Sequence, residues 1–366
     1  MLQVTPRLRR RPDDAGVTAV VTALVIALVA LPLLSYVVDV GRLFEQRRQL
    51  QNGADAAALA VAVDYLRSRT GPGGYSEATA TTTAAGLAAS NYRNSPGPDA
   101  KVYGTPWRTV GPPRAGNGYE PPDRTSSSPP YVQVHVSAPN ADRGFLFSFG
   151  GATVSATARA TWGGLKGAAT LPITLSICEW NTSTSGGTRY APAPPYPPNP
   201  DPALEGTVAL QSSSGTGCNR GPANQFVPGG FGWLDGGGTC TVTSAADGTV
   251  QGSTGSSELS NCRKLLDQVI AAKQVVFLPV FDAVSGTGSN ARFHIAGYAA
   301  VVFTGYSVPG KDSTSWLTGR GKKDCPNTSS GTQGSCFYTL FTEALAPAGS
   351  ELVDTELGVS VVRVVR

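Results

Sequence analysis

VTAVVTALVIALVALPLLSYVVDVGRLFEQRRQLQNGADAAALA (17–60) decides the architecture of this chain. Residues 17–38 carry no charge. As a helix they span about 33 Å, enough to cross a hydrocarbon core of ~30 Å. Pro32, which kinks a soluble helix, is tolerated in a membrane span. Tyr36 stands where an interfacial aromatic belongs. Arg7, Arg9, Arg10 and Arg11 precede the run and favour a cytoplasmic N-terminus, although Arg42, Arg47 and Arg48 follow closely. A cleaved signal peptide has a shorter apolar region and a small-residue cleavage site. This run ends in Tyr-Val-Val-Asp, so the reading is an uncleaved anchor. A prepilin-type signal would need a glutamate five residues after Gly16; Val21 stands there.

Asp39 is expensive in lipid and is read as the point where the chain reaches water. The helix need not stop there. Val40, Leu43, Leu50, Ala54, Ala57 and Val61 recur at helical spacing, interrupted by Arg47, and six alanines fall between Ala54 and Ala62. Gly53 weakens the helix by about 1 kcal/mol relative to alanine. The stripe fits a stalk packing on a partner helix, another copy of the chain included, and equally a helix packing on its own domain. Four residues are candidates for contact: Asp39 as interfacial stop, Gly41 for close helix approach, Arg42 for a headgroup phosphate or partner, and Asp55 as a helix-exposed polar contact.

Composition limits the rest. The 366 residues suffice for two or three units, and a net charge of +4 without a concentrated basic face excludes nucleic-acid binding. Gly (44) and Pro (28) are abundant, yet 40% hydrophobic residues can fill a core, which points to a loop-rich β domain rather than disorder. Cys178, Cys218, Cys240, Cys262, Cys325 and Cys336 all lie in the C-terminal half. None stands at metal-ligand spacing, and the chain has two histidines, so disulfides in an oxidising compartment are expected rather than zinc. Cys325–Cys336 is the preferred pair, because the intervening PNTSSGTQGS is turn-rich. The oxidised cysteines want the long C-terminal part outside the cytoplasm.

The order of elements follows. Residues 76–93 read as a second helix starting near Ser76, and 94–130 as a Pro/Gly/Ser-rich loop. YVQVHV (131–136), GATVSATARATW (151–162) and LPITLSI (171–177) read as strands. YAPAPPYPPNPDP (190–202) reads as an extended surface segment. SSELSNCRKLLDQVIAA (256–272) is helical. KQVVFLPVFDAV (273–284), ARFHIAGYAAVVFTGYSV (291–308) and LGVSVVRVV (357–365) are strands. The expected organisation is a cytoplasmic N-terminus (1–16), a membrane helix (17–38), a stalk helix (39–67), a small α+β unit (68–177) and a disulfide-stapled, mainly antiparallel β domain (178–366). The fold class is α+β.

No catalytic, metal or cofactor motif is complete, and the expectation is a non-enzyme. Gly305 to Asp312 lacks the final Ser/Thr of a phosphate-binding loop and is read as a strand-ending turn. His135 and His294 both sit in alternating strands and read as structural. An anchored ligand-binding module or hydrolase is the competing class. It would need one of these histidines beside a carboxylate in a cleft.

The basic start, Gly16, Asp39-x-Gly41-Arg42, Arg48-Gln49-Leu50-Gln51-Asn52 and Ala54-Asp55-Ala56-Ala57-Ala58-Leu59-Ala60 together resemble the N-terminal region of TadG-like proteins of Flp (Tad) pilus assembly, over about 15–62. Gly53 stands where that pattern more often has alanine. The resemblance implies a single-pass protein of the cell membrane with the Tad secretion machinery as partner, and no catalytic residues. A minor pseudopilin is the alternative within that system. Some TadG-like proteins carry an Asp-x-Ser-x-Ser metal motif. The nearest string, Asp312 to Trp316, has Trp316 at the third ligand position and carries no metal site over.

Overall fold

The computed structural model describes residues 13–68, 74–94, 96–107, 129–139, 153–196, 198–210, 232–253, 256–286, 290–308, 310–327 and 332–365. One helical rod runs from Asp13 to Ser68 as α1 (Asp13–Val25), a π-helical turn (Ile26–Ala30) and α2 (Leu31–Ser68). The π turn is the answer to Pro32. A proline has no N–H and its ring crowds the carbonyl four residues back, here that of Leu28. Widening the preceding turn lets Leu31 N–H reach Ile26 O, five residues away, and the rod continues.

Past Ser68 the chain returns as α3 (Glu77–Ser90), capped by Ser76, whose Oγ accepts Thr79 N–H at 3.1 Å. Its threonines are accommodated by donating back to the helix: Thr81 Oγ1 to Glu77 O at 2.9 Å and Thr82 Oγ1 to Ala78 O at 3.0 Å. Both helices lie on an antiparallel sheet begun by β1 (Asp99–Gly104), β2 (Tyr131–Pro139) and β3 (Thr153–Leu165). The expected loop 94–130 thus contains a strand. Ala100, Val102 and Gly104 alternate inward, a short signal hidden by the Pro/Gly residues around it.

Strands from the far end of the chain complete this sheet: β13 (Ala344–Leu345), β14 (Leu352–Val353) and β15 (Val359–Val365). The order is β1-β2-β3-β15-β13, with β14 also on β3. LGVSVVRVV is therefore a strand, but not of the second unit. It pairs with β3 from Ser360↔Gly164 to Val365↔Arg159. Gly163 and Gly164 make the closure possible, since a Cβ on either would meet the carbonyl oxygens of Val353 and Thr355 at 2.4 and 1.7 Å.

The second sheet has the order β5-β9-β10-β12-β6, from β5 (Leu175–Ser176), β6 (Glu205–Ala209), β9 (Val275–Ser285), β10 (Arg292–Val308) and β12 (Cys336–Thr342). β8 (Thr249–Gln251) and β11 (Lys311–Ser313) also pair with β10, and β4 (Gly167–Thr170) pairs with β7 (Val242–Ala245) as a separate ribbon. LPITLSI enters this unit rather than the first: Leu175 lies opposite Val280, and Ile177 already opens α4 (Ile177–Thr184). The cause is a capping box. Ser176 Oγ accepts Glu179 N–H and Glu179 accepts Ser176 N–H, so Ser-x-x-Glu starts a helix inside an apolar run. The core is aromatic, with Trp180, Trp233, Phe303, Tyr306, Phe337 and Phe341 buried together.

Cys240–Cys262 fastens α5 (Ser256–Ala271), and Cys325–Cys336 closes the turn-rich loop as the sequence indicates. Cys178 is also disulfide-bonded, and Cys218 lies outside the described residues, as do the arginines at 7–11. The proline-rich segment crosses the second sheet, with Tyr196 against Trp316 at 5.9 Å between ring centroids.

Candidate functional site

The sequence points to the long helix, and its environment changes three times along its length. From Val17 to Val38 most side chains are exposed, and the most apolar stretch has none of its residues buried. This helix is long and apolar enough to cross a membrane.

From Ser35 to Gln46 one face is covered. Ser35, Asp39 and Gln46 are buried, a polar set at helical spacing. Asp39 is 3% exposed, and its Oδ2 accepts Ser35 Oγ–H at 3.4 Å. Its carboxylate therefore meets protein, and burial of this face begins at Ser35, inside the uncharged run. The opposite face stays open. Phe44 is 68% exposed, with Glu45, Arg47 and Arg48 exposed beside it; Arg42, three residues past Asp39 on the covered stripe, is exposed as well. Gly41 is exposed too, and a Cβ there would meet nothing within 4 Å, so no element among the described residues approaches it.

From Leu50 to Leu66 the rod is a core helix. Leu50, Ala54, Ala57, Ala58, Val61, Ala62 and Leu66 pack with Ala80, Ala84 and Ala88 of α3 and with Val132, Val134 and Val136 of β2. Of the two uses of the alanine ladder, packing on its own domain is the one found. Gly53 marks the crossing of α3, where a Cβ would stand 3.1 Å from Ala88 Cα. Asp55 is half-buried and accepts Gln51 Nε2–H at 2.8 Å; Gln51 also donates to Thr157 O at 3.4 Å, tying helix to sheet. Thus Asp39 and Asp55 are tied into the domain, while Gly41 and Arg42 face outward.

The histidines divide. His135 Nδ1 lies 2.9 Å from Thr157 Oγ1, and burial, then Lys101, holds it below the usual imidazole range, so it is neutral at pH 7. His294 Nδ1 lies 2.6 Å from Asp282 Oδ1, with side chains 40% and 42% exposed. A β-bulge explains the pair. His294 pairs with Ala283 and Ile295 with Phe281, which leaves Asp282 as the extra residue beside the imidazole. Among the described residues His294 Nε2 has no hydrogen bond.

Two carboxylates besides Asp39 are buried among the described residues. Glu205 accepts from Thr304 and Ser315 at 2.5 Å and from Thr318, with Arg320 at 3.9 Å; this cage fixes the 315–320 turn. Glu179 is pushed above the usual carboxyl range by burial, against its bonds from Ser176 and Ala209. Gly305 to Asp312 is a hairpin end, with Ser307 opposite Asp312 and Val308 opposite Lys311. Among the described residues no three His, Cys, Asp or Glu side chains gather as metal ligands.

A cleft of about 650 Å³ opens between the end of α2 and the second sheet, lined by Arg67, Tyr190, Pro192, Val275, Glu343 and Leu345 among others. Sequence reasoning did not find it. Its walls come from five separated parts of the chain that meet only in the folded protein.

No curated protein and no solved structure matches the chain. Residues 16–64 do match a family model described as putative Flp pilus-assembly TadE/G-like. The matched segment is the rod from its apolar start to its burial in the first domain, and the N-terminal region of this chain is TadE/G-like.

Proposed function

We propose that this chain is a membrane-anchored structural component of Flp (Tad) pilus assembly, acting by placement and contact rather than by catalysis. One observation carries the reading. The TadE/G-like segment is a single rod that is bare and apolar at one end and forms the core of a folded domain at the other. A domain built on its own anchor is held at a fixed height and angle. In this reading the N-terminus is cytoplasmic and the bridges at Cys240–Cys262 and Cys325–Cys336 belong to an oxidising exterior. The partners are Tad secretion proteins. Gly41, which is exposed, is the residue for their contact and Arg42 the one for a headgroup phosphate or a partner; another copy of the chain would meet the same helix.

Deletion of the gene tests it, with sheared surface pili quantified against pilin in whole cells. The expected result is loss of surface pili at normal pilin level, restored by the wild-type gene; unchanged pili sink the reading. The anchored-hydrolase reading keeps one observation, the Asp282–His294 pair. A His294→Ala variant that restores pili fully would remove it from the pilus role.

A further inference from the structure

We infer that the domain does not stand off on a stalk but sits directly on the bilayer, with Phe44 in the interfacial layer and an arginine rim on lipid headgroup phosphates. The inference rests on the anchor reading above.

Asp39 no longer marks where water begins, because its carboxylate is covered by protein. Burial of one face starts at Ser35, four residues before the charge. The open face continues past Asp39 through Gly41 to Phe44, a large apolar side chain that nothing in the described residues covers. Phe44 lies six residues beyond Val38, about 9 Å along the axis, while the headgroup layer is roughly 5–8 Å deep. Side chains on a helix lean toward its N-terminus, here toward the lipid, so Phe44 and the arginines reach back into that layer.

The charge fits this occupant. Arg47 and Arg48, three and four residues past Phe44, are exposed beside it, and Arg42 is exposed at the same level on the other side of the helix. A fourth cation comes from another element: Arg93 is exposed just after α3, and its backbone N–H donates to Gln49 Oε1 at 3.1 Å, which sets it at the same height. Against these stand Glu45, bonded by Gln49 Nε2 at 3.1 Å, and Asp99 at the start of β1, two residues from Lys101. Arginine binds phosphate through its planar fork and snorkels readily at an interface. There is also no room for a stalk. Leu50 is already core, only six residues past Phe44.

The test uses the full chain in liposomes containing anionic phospholipid brominated near the top of the acyl chains, which quenches nearby tryptophan. The native tryptophans serve as the control. Trp162, for instance, lies 5.3 Å from the Tyr65 ring, 21 residues up the rod from Phe44, so wild-type emission is expected to be unchanged. In Phe44→Trp, the emission added over wild type should fall at least about twofold in brominated relative to unbrominated lipid. Replacing Arg42, Arg47 and Arg48 by glutamine should at least halve that quenching. No quenching at position 44 overturns the seating on the bilayer, and quenching untouched by the arginine variant overturns the phosphate contact. Protein that fails to float with the liposomes sinks the anchor reading itself, which keeps the two failures apart. Benzoyl-phenylalanine at position 44 that crosslinks in cells to protein rather than lipid would also overturn the assignment.

Discussion

The two sheets of this protein are held together by opposite means. The first carries helices faced with alanine, and its cohesion comes from backbones brought close: Gly53 against Ala88, and Gly163 and Gly164 beneath residues 353–355. The second is filled with large rings, from Phe303 and Phe337 at 4.9 Å to Trp233, and is fastened by disulfides. The first unit has no cysteine. The comparison teaches where each unit is vulnerable. Close-packed small residues fail when something is added, and aromatic cores fail when something is removed.

The sharpest way to break the comparison is to remove the element the units share. A chain stopped after Glu356 loses β15 from the middle of the first sheet, and also the Leu357 carbonyl that accepts Trp180 Nε1–H at 2.9 Å. The expected outcome is loss of amide-exchange protection throughout β2 and β3. Protection that survives would mean that the first unit folds without the chain's end. Next, Phe337→Ala should destabilise the second unit by about 3–5 kcal/mol. Chemical denaturation followed by exchange in β10 and β12 would read it, and an effect spread equally over α2 would argue against separate cores.

Reduction comes third. Each of the two bridges closes a loop of 22 or 11 residues, and opening one should cost about 3 kcal/mol. Reductant is expected to lower protection in α5 and β12 while leaving α2 and α3 alone. Fourth, Ala57→Leu, a small change in most helices, should cost about 1–3 kcal/mol by forcing α2 off its sheet. If the variant melts with the wild type, the close-approach account of the first unit is wrong.

The smallest expected effect is a pH dependence. Burial raises the carboxyl of Glu179, so the folded protein holds this proton more tightly than the unfolded chain. The stability this group lends is complete below the ordinary carboxyl range and is lost as pH rises through the raised value. Glu179→Gln should flatten the denaturation midpoint across that window. A wild-type slope of the other sign would show that Glu179 is ionised and stabilised by its donors.

Much of this was legible in the chain. Twenty-two uncharged residues made the apolar rod unmistakable, because length and polarity are local properties. The Cys325–Cys336 bridge was legible for a similar reason: a short turn-rich loop fixes its own ends. The strands from Tyr131, Thr153, Val275 and Arg292 followed from alternation. Where reading failed locally, a local signal had been passed over, as with Ser176-x-x-Glu179 opening α4.

Other features belonged to the tertiary structure alone. LGVSVVRVV is a strand by its own pattern, but nothing in that pattern says which sheet has a free edge to receive it; β3, with two glycines at the crossing, decided that. Asp39 looked like a boundary with water because a charge beside an apolar run has no other local reading, yet the fold covers it. The alanine ladder fitted a partner helix and the protein's own domain equally. The sequence by itself determined that there is an apolar rod and that its far half has a small, smooth face. Only the folded chain decided what lies against that face, because burial depends on neighbours brought together from distant parts of the chain.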